Sequence, residues 1–181
     1  MNIVETSLPG VLLIKPAMYR DERGSFCETW NQKQSAEAGL PSHWVQDNCS
    51  YSAKNVVRGI HYQIVQPQAK LVRAACGVVF DVAVDLRRSS PNFGRHVAVE
   101  LNSSEGHMLY IPEGFGHGFA ALTDNAGLAY KVTDYYSPAG ERTIFWNDPE
   151  IGIAWPISAE SAILSAKDLK GCSIREAEVF S

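Results

Sequence analysis

No apolar run in this chain approaches the roughly 20 residues that a helix needs to cross a bilayer. The opening stretch, Met-Asn-Ile-Val-Glu-Thr-Ser-Leu-Pro-Gly, has no basic region followed by an apolar one. A soluble, unexported, cytoplasmic protein is expected, with no membrane contact. Positive charge is also scarce: sixteen Lys and Arg stand against twenty Asp and Glu, giving a net charge of -4. No overall positive field is available to hold nucleic acid, so an anionic ligand must be met by individually placed cations. The four cysteines, Cys27, Cys49, Cys76 and Cys172, lack the close pairing that holds zinc or exchanges disulfides, and reduced thiols are expected. A glycine-rich phosphate loop of the Rossmann or Walker kind is missing too, so no redox cofactor is inferred.

What is present is enough to build a core. At 181 residues and 45% hydrophobic content, with no sharp shift in composition, the chain reads as one domain spanning 1–181. Apolar or alternating runs suggest strands at Val11 to Lys15, Ser25 to Trp30, Trp44 to Tyr51, Val56 to Gln63, Lys70 to Ala75 and Val78 to Leu86. Further runs lie at His96 to Leu101, Met108 to Ile111, Gly118 to Leu122 and Leu128 to Tyr136. Gly, Pro, Asn and Ser clusters separate them at short intervals, the pattern of an all-β sandwich or barrel of antiparallel strands, with a jelly roll favoured. A short helix is expected at Gln32 to Gly39 and, in the tail at Ser158 to Asp168, a helix or a helical turn.

Several residues in these runs carry chemistry. His61 lies in the β-forming stretch Val57-Arg-Gly-Ile-His61-Tyr-Gln63, with Arg58 three residues earlier and so on the opposite face of a regular strand. A bulge at Gly59 would bring the two together. Lys70 opens an apolar strand, either as a solvated strand end or as a group to stabilise an oxyanion. His117 sits in the glycine-rich Pro112-Glu-Gly-Phe-Gly-His117-Gly-Phe119, where backbone can approach a ligand closely. Tyr130 and Tyr136 share parity and would point to one face of a regular strand. A histidine acting as a base needs a partner for its other ring nitrogen, and Asp168 and Asp81 are both candidates.

Taken together, Asp21-Glu-Arg-Gly24, Val45-Gln-Asp-Asn48, Arg58-Gly-Ile-His61-Tyr-Gln63, Lys70-Leu-Val-Arg73, Phe80-Asp-Val-Ala-Val-Asp85, Ile111 to Phe119, Tyr130-Lys-Val-Thr-Asp-Tyr-Tyr136 and Trp146-Asn-Asp148 resemble the dTDP-4-dehydrorhamnose 3,5-epimerase family. The resemblance runs in order from about Leu8 to Asp168. It implies a cupin-type jelly roll, usually a homodimer, that works without metal or other cofactor. The implied activity inverts C3 and C5 of dTDP-4-dehydro-6-deoxyglucose, giving dTDP-4-dehydro-L-rhamnose in dTDP-L-rhamnose biosynthesis. By the same resemblance His61 matches the proton-abstracting base, Asp168 its orienting carboxylate, Tyr130 the proton donor and Lys70 the lysine near the ketone oxygen. Arg58 and His117 match groups lining the substrate site, and Tyr136 the ring that stacks on thymine. Gln46, Asp47 and Asn48 match nucleotide contacts. Arg23 and Glu28 match ligand contacts near the dimer interface, and Glu141 and Lys167 further ligand contacts. One departure is Ala69, which precedes Lys70 where the family tends to have glycine, in a linker that looks one residue shorter.

Three other readings stay open on sequence. A single-site epimerase of another dTDP-deoxysugar pathway would share these residues, since small changes in ring placement decide which proton is reached. A noncatalytic sugar-nucleotide binding module would need only the cations and aromatics. A metal-dependent cupin is disfavoured because Tyr62-Gln63 follows His61 where a second histidine ligand is wanted, and His43, His96 and His107 suggest no compact site.

Overall fold

Short apolar runs broken by turn-forming residues pair edge to edge, and the computed structural model, which describes residues 2–181, folds them into two packed sheets. In chain order the strands are β1 (Asn2–Glu5), β2 (Leu12–Lys15), β3 (Met18–Asp21), β4 (Gly24–Cys27), β5 (Gln46–Ser52), β6 (Val57–Gln63) and β7 (Lys70–Cys76). They continue as β8 (Val78–Asp85), β9 (His96–Asn102), β10 (Met108–Ile111), β11 (Phe115–Ala121), β12 (Ala126–Val132) and β13 (Glu141–Thr143), with one helix, α1 (Gln32–Glu37). The larger sheet runs β1-β2-β10-β7-β12-β5 and the smaller β13-β6-β11-β8-β9, while β3 and β4 form a separate hairpin. Neighbouring strands are antiparallel throughout, as a jelly roll requires. No helix among the described residues is long and apolar enough to cross a membrane.

The period of two along each strand sorts the side chains into layers. On β8, Val79 and Ala83 face the larger sheet and join Val72, Leu109, Leu128, Phe115 and Phe119 in the core between the sheets. Val82 and Val84 face the other way and are covered by Ile144, Ile151, Ile174 and Ala177. The last third of the chain is therefore a third layer over the smaller sheet. Asp81 has the parity of the inward set and is fully buried.

Strands β2 and β5 to β10 lie within two residues of the expected runs. Four differences have local causes. Strand β11 begins at Phe115, not Gly118, because its glycines belong to the strand interior: a Cβ on Gly118 would lie 2.6 Å from Ile60 Cδ1, and one on Gly116 would collide with the same side chain. Strand β12 ends at Val132, short of Tyr136, where side chains take over the backbone partners. The Thr133 hydroxyl accepts from Ala69 N at 2.9 Å, and the Asp134 carboxylate from Tyr135 N at 2.7 Å. In the tail a continuous helix over Ser158 to Asp168 does not form, and only a single turn does, in which Ser158 O accepts from Ser161 N and Ala162 N. Ile163 then exchanges backbone hydrogen bonds with the start of β6, donating to Asn55 O and accepting from Val57 N, which holds the chain extended there; Asp168–Lys170 coils again, as a 3-10 turn. Finally, β1, β3 and β13 were not foreseen, and their exposed or half-buried side chains show no alternation to reveal them.

The strand β6 carries the irregularity on which the site rests. Its register with β11 pairs Arg58 with Phe119 and His61 with His117, so β6 spends one more residue than β11 between the two pairs. Val57 and Ile60 both pack outward, while Arg58 and His61 both line the space between the sheets. Gly59 sits in this bulge at φ +118, and a Cβ there would fall 2.5 Å from Gly118 Cα and 2.8 Å from His117 O. Gly59→Ala is expected to destabilise the fold by more than about 2 kcal/mol, through both backbone strain and the clash with β11. Urea unfolding checks this, and an unchanged midpoint would contradict the bulge geometry.

Candidate active site

At one end of the sandwich the core gives way to an open cavity of about 400 Å³, of the size that holds a small ligand. Each wall comes from one sheet. Arg58, His61, His117 and Phe119 project from β6 and β11, and Asn48, Ser50, Lys70, Leu128 and Tyr130 from β5, β7 and β12. The even-numbered residues of β5 turn inward and the odd-numbered ones outward, so Gln46 and Asn48 line the cavity while the Asp47 side chain does not. Asp47 instead pairs with Lys131 Nζ at 3.0 Å on the outer face of the larger sheet.

His61 is held by Asp168. Its Nε2 lies 2.7 Å from Asp168 Oδ1, which also accepts from Gly59 N at 3.1 Å, while Oδ2 accepts from Ser165 Oγ at 2.6 Å. An ionised carboxylate only accepts, so Nε2 keeps its hydrogen and Nδ1 is left as the basic nitrogen. Burial pushes the Asp168 carboxyl up, but the hydrogen bonds from His61, Ser165 and Gly59 outweigh it and bring it down to about 2. Burial pulls the His61 imidazole below its ordinary value, with Asp168 opposing and Lys167 and Lys70 assisting. The ring is therefore neutral at pH 7 and able to take a proton.

The other groups are set by the same burial. Lys70 is brought down to about 8 by desolvation, against the pull of Asp81 and Glu141. Its Nζ lies 5.9 Å from the centre of the Tyr130 ring. Burial raises the Tyr130 hydroxyl, with Arg58 opposing, so it holds its proton through neutral pH. His117 is partnered too: Nε2 lies 2.9 Å from Asp81 Oδ2 in a second, buried histidine–aspartate pair. Spacing leaves Asp168 and Asp81 both open and the resemblance points to Asp168; the fold gives Asp168 to His61 and Asp81 to His117.

At the rim, Tyr136 reaches the cavity from the loop after β12 and donates to Glu141 Oε2 at 3.0 Å. Glu141 also pairs with Lys167. Gln46 donates to Asn48 Oδ1 at 2.8 Å, and Arg58 to Ser52 Oγ at 3.3 Å. Ala69 is buried with its N–H held by Thr133, which starts β7 so that Lys70 turns inward. Besides Asp47, two expected site residues lie elsewhere: Arg23 pairs with Asp21 at the tip of the β3–β4 hairpin, and Glu28 accepts from Asn31 and Gln34 beside α1. Sequence reasoning passed over Ser165, Gln63 and Gln68; only the Ser165-x-x-Asp168 spacing, typical of local side-chain capping, offered a signal. Among the described residues, no group of three or more His, Cys, Asp and Glu is placed to hold a metal ion.

Known proteins resemble this chain over nearly its whole length. A family profile described as dTDP-4-dehydrorhamnose 3,5-epimerase matches residues 5–176. The dTDP-4-dehydrorhamnose 3,5-epimerase of Pseudomonas aeruginosa is 48% identical over 181 residues, covering 99% of each chain. The crystal structure of a Legionella pneumophila dTDP-6-deoxy-D-glucose-3,5-epimerase in complex with dTDP-4-keto-L-rhamnose superposes with a TM-score of 0.94 at 44% identity, covering 98% of this chain and 94% of that one. A dTDP-4-dehydrorhamnose 3-epimerase from Streptomyces niveus is 39% identical, covering 98% of this chain and 86% of its own. With matches of this extent, the chain belongs to the dTDP-4-dehydrorhamnose 3,5-epimerase family.

Proposed function

We propose that this chain, acting as one domain, inverts C3 and C5 of dTDP-4-dehydro-6-deoxyglucose, with His61 as the base and Tyr130 as the acid. The observation that carries the reading is the His61–Asp168 pair at 2.7 Å, with a neutral imidazole facing a cavity whose opposite wall bears Tyr130 and Lys70. A proton on a carbon beside a ketone is acidic because the carbanion delocalises onto oxygen as an enolate. C3 and C5 both flank the C4 ketone, so one base on one ring face serves both. His61 Nδ1 removes the proton, and the imidazolium is stabilised by Asp168. Lys70 stabilises the enolate oxygen. Tyr130, from the other sheet, returns a proton to the opposite ring face and so inverts the centre. Arg58 and Lys167 meet the diphosphate as individually placed cations. Gln46 and Asn48 hold the nucleotide, Tyr136 stacks on thymine, and His117 and Glu141 complete the contacts.

In deuterated water, both C3 and C5 of the product are expected to carry label. Label at one carbon alone would favour the single-site reading, to which the 39% identical Streptomyces 3-epimerase gives weight. His61→Ala and Tyr130→Phe should each lower turnover by about 10²–10⁴-fold while dTDP still binds. A wild-type protein that binds ligand and never exchanges these protons would instead be a binding module.

The pH dependence follows from the two titrating groups. His61 must be neutral, so kcat/KM rises to a plateau through a pKa below the ordinary 6.5. Lys70 must be charged, so the rate falls again near pH 8. Lys70→Ala is expected to lower the plateau by about 10²-fold and to abolish the alkaline limb; an alkaline limb that survives in this variant assigns it to another group.

The active unit in this reading is a cytoplasmic homodimer in which Arg23 and Glu28 reach the substrate of the partner subunit. Within one chain both lie off the cavity, and Tyr19 and Phe26 of the same hairpin are left 66% and 69% exposed. Mixing Arg23→Ala and His61→Ala proteins, each weak alone, should recover activity in mixed dimers that carry one intact site. No recovery after subunit exchange would place Arg23 outside the site.

A further inference from the structure

Gln63 lies two residues beyond His61 on β6, faces the same side, and has no part in the chemistry above. It is only 6% exposed, and its carboxamide is fully engaged with backbone. Nε2 donates to Gln66 O at 2.7 Å and Tyr135 O at 3.2 Å, and Oε1 accepts from Ser137 N at 2.9 Å. The two carbonyl partners fix which end is the amide nitrogen. Gln63 therefore grips the chain immediately before and immediately after Tyr136.

That grip matters because little else holds Tyr136. Strand β12 stops at Val132, so the sheet ladder does not reach it, and its side chain is 54% exposed. Its own bonds are a hydroxyl to Glu141 at 3.0 Å and a long backbone contact to Gln46 Oε1 at 3.4 Å. Two neighbouring stitches, Gln68 Nε2 to Asp134 O at 2.7 Å and Ile64 N to Gly140 O at 2.8 Å, fix the ends of the same loop but not its middle. A ring on a mobile loop must be ordered when ligand binds, at a cost that a prearranged loop avoids.

We propose that Gln63 is a positioning residue that presets the Tyr136 ring for the nucleotide base by clamping the backbone on both sides of it. This rests on the reading of Tyr136 as the thymine-stacking residue. The role concerns binding and not proton transfer, so it separates KM from kcat.

The test uses the full-length enzyme with dTDP as the binding probe. Gln63→Ala is expected to raise the dTDP Kd and the substrate KM about tenfold, leave kcat within about threefold, and speed hydrogen exchange of the Ser137 amide. In a Tyr136→Ala background the same change should add no more than about twofold, because the clamp has lost what it positions. Penalties that multiply, a fall in kcat at unchanged KM, or an unaltered Ser137 amide would each overturn the proposal. Should Gln63→Ala fail to fold, Gln63→Glu serves: it keeps the acceptor for Ser137 N–H but turns a carboxylate against two carbonyl oxygens, and the same outcomes apply. Tyr136→Ala binding dTDP as tightly as wild type would overturn the stacking role and the clamp with it. A penalty at Tyr136 with none at Gln63 would overturn the clamp alone.

Discussion

The extra residue in β6 does two things for the site at once. It flips the parity of the strand, so that Arg58 and His61 face the cavity while Val57 and Ile60 face the covering layer. It also turns the Gly59 N–H away from the ladder and onto Asp168 Oδ1, the oxygen that His61 shares. A regular strand would keep either Arg58 or His61 out of the cavity and leave the carboxylate without its backbone donor. The irregularity is possible only because β11 offers no Cβ at Gly118, where one would lie 2.9 Å from Arg58 O and 3.3 Å from Gly59 Cα. Two glycines on adjacent strands thus support a geometry that neither could support alone.

Burial then acts on each titratable group according to its charge type. It disfavours imidazolium at His61 and ammonium at Lys70, and it favours the neutral phenol at Tyr130. Asp168 and Glu141 escape: at Asp168 the hydrogen bonds from His61, Ser165 and Gly59 outweigh the loss of water, and at Glu141 those from Lys167 and Tyr136 do. The result at neutral pH is a neutral imidazole beside an ionised carboxylate, facing a protonated phenol and a lysine brought down to about 8. No group needs a special device beyond depth and partners. The pairing of Asp81 with His117 belongs to the same scheme, since the buried negative charge counters part of the desolvation of Lys70.

Residues whose types cluster in short motifs were legible in the sequence: His61, Lys70, His117, Tyr130 and Tyr136 all line one cavity. So was the sheet pattern from β5 to β10, where breakers bound clear alternation. Three things were not legible, for physical reasons. The choice between Asp168 and Asp81 depends on contacts across 107 and 36 positions, which no local pattern encodes. Tyr136 was placed on the strand with Tyr130, but side-chain hydrogen bonds at Thr133 and Asp134 end β12 first, so it reaches the cavity by another route. In the tail, local propensity favoured a helix, and two backbone bonds to the start of β6 overrode it. Arg23 and Glu28 were assigned by resemblance alone, and one chain does not bring them to the cavity.

That tail also sets where Asp168 lies relative to His61. The segment bearing Asp168 is tied to β6 before the bulge, through Ile163 to Asn55 and Val57. Beyond the bulge it is tied to β13 through Cys172 to Thr143 and Phe145, and β13 pairs directly with β6 from His61 to Gln63. Asp168 therefore lies on a span whose two ends are both registered on the strand that carries His61. The same span delivers Lys167 to Glu141, and so to Tyr136. Relative placement of the base and its carboxylate is fixed by backbone ladders, with side-chain rotamers left only the final approach. A layer that first looks like a cover for the apolar face of the smaller sheet is in this way also the frame of the site.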